Sequence, residues 1–253
     1  MKAMILAAGL GTRLDPLTRK MPKALVPLNG TPLLEILVLR LKQCGFREIV
    51  INIHHHGQQI IDFLETRNNF DIKIDISDER NRLLDTGGAV KKAMAFLGDG
   101  EPFLVHNVDV ITSLDLRALM THHTRSGAIA TLCVQERSSS RYFFFTEDDL
   151  LCGWKNEGSG KEKGMTSGSG PLKQRAFSGI HAVGSRFFEK AMLHGCFPPD
   201  QDVFSIIDVY LCLAASEKVQ GWDHSGSPWF DIGRYQQLKA AEAWMNLERP
   251  TDS

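Results

Sequence analysis

Apolar residues along this chain fall into short blocks whose periods alternate between those of strands and those of helices. Lys2 to Ala8 is an apolar run ending at glycine, the pattern of a strand buried on both faces. Leu33 to Cys44 repeats apolar residues at helical spacing and stops at Gly45, a residue suited to end a helix. Glu48 to Ile53 is rich in β-branched residues and predicts a second buried strand. Gln58 to Leu64 predicts a short helix and Ile72 to Ile76 a strand. Thr86 to Leu97 predicts a helix that opens on Gly87 and Gly88, and Pro102 to Val110 a third buried strand. This β-α-β-α rhythm predicts an α/β fold, with a mostly parallel sheet and helices on both faces.

The pattern loosens in the second half. Ala128 to Val134, Tyr142 to Thr146 and Phe177 to Val183 predict strands, and Phe204 to Ala215 and Tyr235 to Leu247 predict helices. Asn156 to Pro171 is rich in Gly, Ser and Lys and predicts an exposed, mobile loop. No repeat or linker divides the chain. The expectation is one domain over residues 1–253, built from halves at about 1–125 and 126–253.

Charge narrows the partners. Lys and Arg number 29 against 30 Asp and Glu, a net charge of −1. Such a balance gives no overall field to attract nucleic acid or a membrane surface. No apolar run reaches about 18 residues, so no membrane-spanning helix is expected. The apolar start is too short for a signal peptide, since glycines and Arg13 follow at once. Cys44, Cys133, Cys152, Cys196 and Cys212 are scattered, odd in number and form no C-x-x-C; reduced thiols and a cytoplasmic location fit them.

Candidate chemistry concentrates at Gly9-Leu10-Gly11-Thr12-Arg13-Leu14, followed by Pro22-Lys23. A glycine loop directly after the first strand of a parallel sheet sits at the crevice above the strand ends, where its amides suit phosphate. The dinucleotide fingerprint would need glycine where Leu14 stands, and the Walker pattern fails because Gly160-Lys161 is followed by Glu162. What remains is a glycine turn with two cations, Arg13 and Lys23. Asp15-Pro16 and Met21-Pro22 interrupt any long helix between them, so the loop is able to fold back over a ligand.

Ala7 to Thr18 followed by Pro22-Lys23-Ala24-Leu25-Val26-Pro27 closely resembles the signature of the sugar-1-phosphate nucleotidyltransferases. Four later segments follow in family order. Leu84-Asp85-Thr86-Gly87-Gly88-Ala89 resembles the nucleobase-contacting segment, and His106-Asn107-Val108-Asp109 a first metal carboxylate. Phe177-Ser178-Gly179-Ile180 resembles the sugar-pocket strand, and Trp229-Phe230-Asp231-Ile232-Gly233 a second metal carboxylate. Within the family, the compact length and the Leu84–Gly88 segment look most like bacterial N-acetylmuramate-1-phosphate uridylyltransferases. Mannose- or heptose-1-phosphate guanylyltransferases are the alternative. A phosphocholine cytidylyltransferase and a non-catalytic nucleotide-sugar sensor are more remote.

The resemblance implies a Rossmann-like, mostly parallel mixed sheet of the nucleotide-diphospho-sugar transferase type. Its N-terminal half would bind a nucleoside triphosphate (NTP) and its C-terminal half a sugar 1-phosphate. It implies Mg²⁺ on Asp109 and Asp231, and Arg13, Lys23 and Asp109 as the catalytic groups. Ala8, Gly9, Gly11, Thr12, Arg13, Asp85, Gly87 and Gly88 would serve the nucleotide, and Asn107, Asn156 and Gly179 the sugar. The implied partners are the two substrates, without nucleic acid or membrane, in a monomer or small homo-oligomer. Val108 departs from the family's usual glycine, Arg234 stands where threonine is common, and Trp154-Lys155-Asn156-Glu157 scrambles the usual Glu-Lys pair. His54-His55-His56 reads as a polar strand end and Asp148-Asp149 as a solvated turn, while Trp154 and Trp229 flank the expected sugar pocket.

Overall fold

The structure, a computed structural model, describes residues 1–165 and 170–248. The chain opens with β1 (Lys2–Leu6) and a loop carrying three single 3-10 turns, Thr12–Leu14, Leu17–Arg19 and Lys23–Leu25. A ribbon of β2 (Pro27–Leu28) and β3 (Thr31–Pro32) leads into α1 (Leu33–Gln43). β4 (Glu48–Ile53), α2 (Gly57–Thr66), β5 (Lys73–Asp78), α3 (Asp85–Lys92) and α4 (Met94–Leu97) follow. β6 (Phe103–Asn107), β7 (Val110–Thr112) and α5 (Leu116–Ser126) complete the first half. The second half comprises β8 (Ala130–Gln135), β9 (Arg141–Phe145), β10 (Leu151–Asn156), β11 (Lys161–Lys163) and β12 (Lys173–Val183). It continues through α6 (Phe187–Leu193), α7 (Ile206–Leu213), β13 (Val219–Asp223), β14 (Trp229–Asp231) and α8 (Tyr235–Glu248).

The main sheet runs β11-β10-β9-β12-β6-β1-β4-β5, with β8 joining β12 and β13. β1 pairs in parallel with β4 on one side and β6 on the other, so Leu6 lies opposite both Asn52 and Asn107. The connections leave β1 in opposite directions across the sheet. Its carboxyl end is therefore a switch point, where α/β sheets open a ligand crevice. β12 is antiparallel to β6 and carries the sheet into the second half without a break.

Alternation along β1 shows how the layers form. Ala3 and Ile5 pack with Leu34, Leu37 and Leu41 of α1 and Leu119 of α5, while Met4 packs on the opposite face with Val90 of α3 and Val105. All of these residues are buried. A third cluster, with Leu14, Ile111, Ile232 and Leu238, seats α8 and fastens the glycine loop to the body.

Several elements differ from expectation. α5 has no counterpart in the hydrophobic pattern because Thr121, His122, His123 and Thr124 interrupt its stripe. Its signal is the cap: the Asp115 carboxylate accepts from Arg117 N at 2.9 Å and Ala118 N at 3.0 Å. Within the expected loop over 156–171, Lys161–Lys163 is instead a strand paired to β10, and residues 166–169 lie outside the described residues. Cys196 and Cys212 form a disulfide, with Cα atoms 5.6 Å apart, which corrects the reduced-thiol expectation for this pair. Their separation of 16 residues carries no sequence signal, because the turn after α6 and the end of α7 meet only in the fold. No helix among the described residues is long and apolar enough to cross a membrane.

Buried histidines give the fold a pH dependence. Burial pushes His123 and His224 down to about 4 and His181 to about 3. His123 bonds Thr131 at 2.9 Å, His224 bonds Ser178 at 2.7 Å, and His181 bonds the Tyr210 hydroxyl. These rings stay neutral in the folded protein, whereas the unfolded chain takes up protons below about pH 6.5. Their contribution is full above that pH and is lost as pH falls towards the folded values. Thermal melts from pH 7 to 4 are expected to show Tm falling steadily below about 6.5. A flat Tm would contradict this account.

Candidate active site

The glycine loop folds back as its prolines demand. Gly11 adopts φ 65° and ψ 20°, a left-handed conformation that suits glycine, and its carbonyl accepts from Leu14 N and Thr18 Oγ1 at 2.9 Å each. A Cβ there would stand 2.9 Å from Thr18 Cγ2 and 3.0 Å from Lys23 Cβ. Glycine thus lets the loop close tightly enough to bring Lys23, only 7 % exposed, beneath the turn.

A second network fixes the start of the loop. Asn52 Oδ1 accepts from Ala7 N at 2.7 Å and Ala8 N at 3.3 Å. Its amide donates to Glu79 Oε1 at 2.8 Å, and Glu79 Oε2 accepts from Leu84 N at 3.1 Å. Two side chains therefore tie the end of β1 to the segment that opens α3. Burial pushes the Glu79 carboxyl above its ordinary range.

Two clefts open at this end of the sheet. The first, of about 440 Å³, is lined by Ala8, Gly9, Gly11, Thr12 and Asp85, with Asn52, Glu79 and Thr86. The second, of about 630 Å³, lies over the second half and is lined by Trp154, Gly179, Trp229 and Asp231. Arg13, Asn107 and Asp109 line both clefts, so the two meet at these residues. Gly179, at φ 73°, packs so closely that a Cβ would stand 2.6 Å from Asn107 Nδ2.

The two aspartates reach this junction by backbone pairing. β14 runs antiparallel to β7, with Asp231 opposite Val110, and Ile232 N donates to the Asp109 carbonyl at 2.8 Å. Asp109 accepts an ion pair from Lys23. Burial pushes the Asp231 carboxyl up, and the Asp109 charge adds to this, while Lys23, Arg13 and Arg137 pull it back. Asp231 Oδ1 is buried with no hydrogen-bond partner. Gly233 makes room for the pair: a Cβ would stand 2.8 Å from Arg13 Nη2 and 2.9 Å from Asp231 Oδ1.

This donor set fits Mg²⁺. It offers two hard carboxylates, one with an orphaned oxygen, beside a cleft open to a further ligand. Mg²⁺ characteristically takes one or two carboxylates and completes its shell with phosphate and water. Among the described residues no cluster of three His, Cys, Asp or Glu groups has metal-binding geometry, so an ion here would draw its remaining ligands from outside the chain. The histidine run binds locally instead, with His54 Nδ1 at 2.8 Å from the Glu79 carbonyl and His56 Nε2 at 3.2 Å from that of Arg19.

Three expected site residues lie elsewhere. The amides of Gly87 and Gly88 donate to the Phe204 carbonyl at 2.8 and 3.2 Å, and neither residue lines the first cleft. Their small size serves packing, because a Cβ on Gly88 would stand 2.0 Å from the Asp202 carbonyl oxygen. Asn156 lines neither cleft; its side-chain Oδ1 accepts from Gly158 N at 3.0 Å and Ser159 N at 3.3 Å, shaping the turn into β11. Val108, in place of glycine, is buried at the wall of the first cleft. Gly88→Ala is expected to displace the 202–204 segment and cost about 1–3 kcal/mol of stability, read as a lowered denaturation midpoint. An unchanged midpoint would contradict the packing role.

Comparison with known proteins identifies the family. The family model described as "Nucleotidyl transferase" matches residues 2–246. The N-acetylmuramate alpha-1-phosphate uridylyltransferase of Neisseria meningitidis serogroup B is 36% identical over 248 residues, covering 96% of this chain and 97% of that one. The enzyme of the same name from Caulobacter vibrioides is 32% identical, with 95% of each chain covered. Among solved structures, a putative glucose-1-phosphate thymidylyltransferase from Bacillus anthracis superposes with a TM-score of 0.79 at 21% identity, covering 100% of this chain and 98% of that one, a likeness of fold. A glycine loop at the switch point and a family match over nearly the whole length lead to one conclusion: this chain belongs to the nucleotidyl transferase family.

Proposed function

We propose that this protein transfers a nucleoside monophosphate from an NTP to a sugar 1-phosphate, releasing pyrophosphate, with UTP and N-acetylmuramate 1-phosphate as its substrates. The observation that carries the reading is the meeting of two clefts at Arg13, Asn107 and Asp109. One cleft is walled by backbone and small residues suited to a nucleotide, the other by tryptophans suited to a sugar ring. The uridylyltransferases named above support the choice of base and sugar, being similar over almost their full lengths. We assign residues 1–125 to the NTP and 126–253 to the sugar within one domain, with Asp231 crossing back to the junction.

A sugar phosphate oxygen attacks the α-phosphorus of the NTP. The bond from that phosphorus to the bridging oxygen breaks, and pyrophosphate departs with the electron pair. No protein nucleophile takes part, so the residues act by positioning and by neutralising charge. Amides of the Ala8–Thr12 segment cradle the triphosphate. Arg13 uses its planar fork on the β- and γ-phosphates. Lys23 lies nearer the α-phosphate and the incoming anion. Asp109 and Asp231 would hold Mg²⁺, which supplies positive charge at the α-phosphate.

The test is pyrophosphate release for four NTPs against N-acetylmuramate, N-acetylglucosamine, glucose and mannose 1-phosphates, with and without Mg²⁺. Turnover with UTP and N-acetylmuramate 1-phosphate, abolished by chelation, is expected. Turnover confined to GTP and mannose 1-phosphate would replace this reading with the guanylyltransferase one.

A further inference from the structure

The sugar-side cleft holds a cation that the transfer reaction does not require. Arg137 follows β8, and its guanidinium carbon lies 3.8 Å from the centroid of the Trp229 ring. Trp229 is itself anchored, its indole N–H donating to the Ser178 carbonyl at 2.9 Å. Arg137 Nη2 donates to the Phe177 carbonyl at 2.8 Å, and Nη1 reaches the Ser138 carbonyl at 3.4 Å. Its Nε is buried with no hydrogen-bond partner. Two of its five N–H donors are spent on backbone carbonyls, so each Nη keeps one further N–H, and a guanidinium so desolvated costs free energy unless an acceptor meets them.

The surrounding charges define the acceptor. Arg137 and Arg141 line the second cleft and not the first. Neither forms an ion pair with a carboxylate among the described residues. Lys23 already answers Asp109, and Arg13 stands at the junction where the phosphates would react. Two arginines therefore stand without a direct ion pair among the described residues on the wall away from that junction, beside Ser139 and Tyr142, with Asp231 acting on Arg137 only at longer range. Burial pushes the Arg137 guanidinium down while the Asp231 charge opposes this from across the cleft. A neutral sugar would leave the arrangement uncompensated; a carboxylate would complete it with charge-assisted hydrogen bonds.

We propose that Arg137, held over the Trp229 ring and assisted by Arg141, is the specificity-determining residue that selects a hexose 1-phosphate bearing a carboxylate substituent over its neutral counterpart. This rests on the sugar 1-phosphate reading of the second cleft. The alternative use of the same cations, gripping the phosphate that every sugar 1-phosphate shares, makes a different prediction.

The experiment compares kcat/KM for N-acetylmuramate 1-phosphate and N-acetylglucosamine 1-phosphate, two sugars that differ by a carboxylate-bearing ether. The preference for the acidic sugar is expected to fall by about 10–100-fold in Arg137→Gln, the range of a lost charge-assisted hydrogen bond. Arg137→Lys should recover only part of it, because an ammonium cannot reproduce the stacked fork. Arg141→Gln should lower the preference by a smaller factor. A companion measurement leaves the protein intact: wild-type enzyme given the carboxamide of the acidic substrate should lose a comparable factor. Equal losses for both sugars in Arg137→Gln, or full activity with the carboxamide, would overturn the proposal. Turnover of neither sugar by the wild-type enzyme would instead overturn the substrate reading beneath it, so the two failures are distinguishable.

Discussion

Asp109→Asn is expected to lower kcat by about 10³-fold or more, since a carboxylate that positions charge at the transferring phosphorus contributes several kcal/mol and each ~1.4 kcal/mol is tenfold in rate. The change preserves shape and removes one charge. It also strips Lys23 of its ion-pair partner at a site where Lys23 is only 7 % exposed. Removing one member of a buried pair is destabilising, so a lowered Tm should accompany the lost rate. Asp231 is close enough to raise its own carboxyl in response to Asp109, and it retains part of the field that holds Lys23. The variant should therefore fold. Single-turnover measurement of UMP transfer separates chemistry from product release; a rate within about tenfold of wild type would remove Asp109 from its assigned role.

Lys23→Met is expected to separate metal binding from turnover. The methionine stem keeps the apolar packing under Gly11, where lysine Cβ and Cγ lie close to the turn. The lost ammonium leaves Asp109 and Asp231 facing each other with one cation fewer. Their combined negative potential should bind a divalent ion more tightly, while kcat/KM falls by about 10²–10³-fold through loss of charge stabilisation near the reacting phosphate. Titration with Mn²⁺ followed by its paramagnetic signal, alongside steady-state kinetics, measures both quantities. Weaker Mn²⁺ binding, or unchanged kinetics, would contradict the placement of Lys23 between the aspartates and the substrates.

What was legible in the sequence was whatever is written locally. The glycine loop, with Arg13 and Lys23 spaced by helix-breaking prolines, announces a turn that folds back. Its position after β1 announces the crevice. Asp109 and Asp231 stand at the ends of recognisable motifs, and the sheet carries their backbones together through β7 and β14. What was not legible depends on partners distant in the chain. Asn52 carries no mark of a loop-fixing residue, because its contacts lie 45 and 27 residues away at Ala7 and Glu79. Gly87 and Gly88 announce a position intolerant of side chains. The object they pack against, the Asp202–Phe204 segment, lies far along the sequence, so this contact has no local mark. Asn156 sits near the sugar cleft in sequence, but its side chain is consumed by a turn. Arg137 lies in a polar stretch that looks solvated, and its contact with Trp229 bridges two segments that meet only in the folded sheet.

The junction of the two clefts is tested most directly by a crystal structure with Mg²⁺ and a non-hydrolysable UTP analogue. The account predicts the triphosphate along the Ala8–Thr12 turn and a metal ion about 2.1 Å from oxygens of Asp109 and Asp231, the distance at which Mg²⁺ binds carboxylates. A nucleotide seated elsewhere, or a metal ion touching neither aspartate, would contradict it.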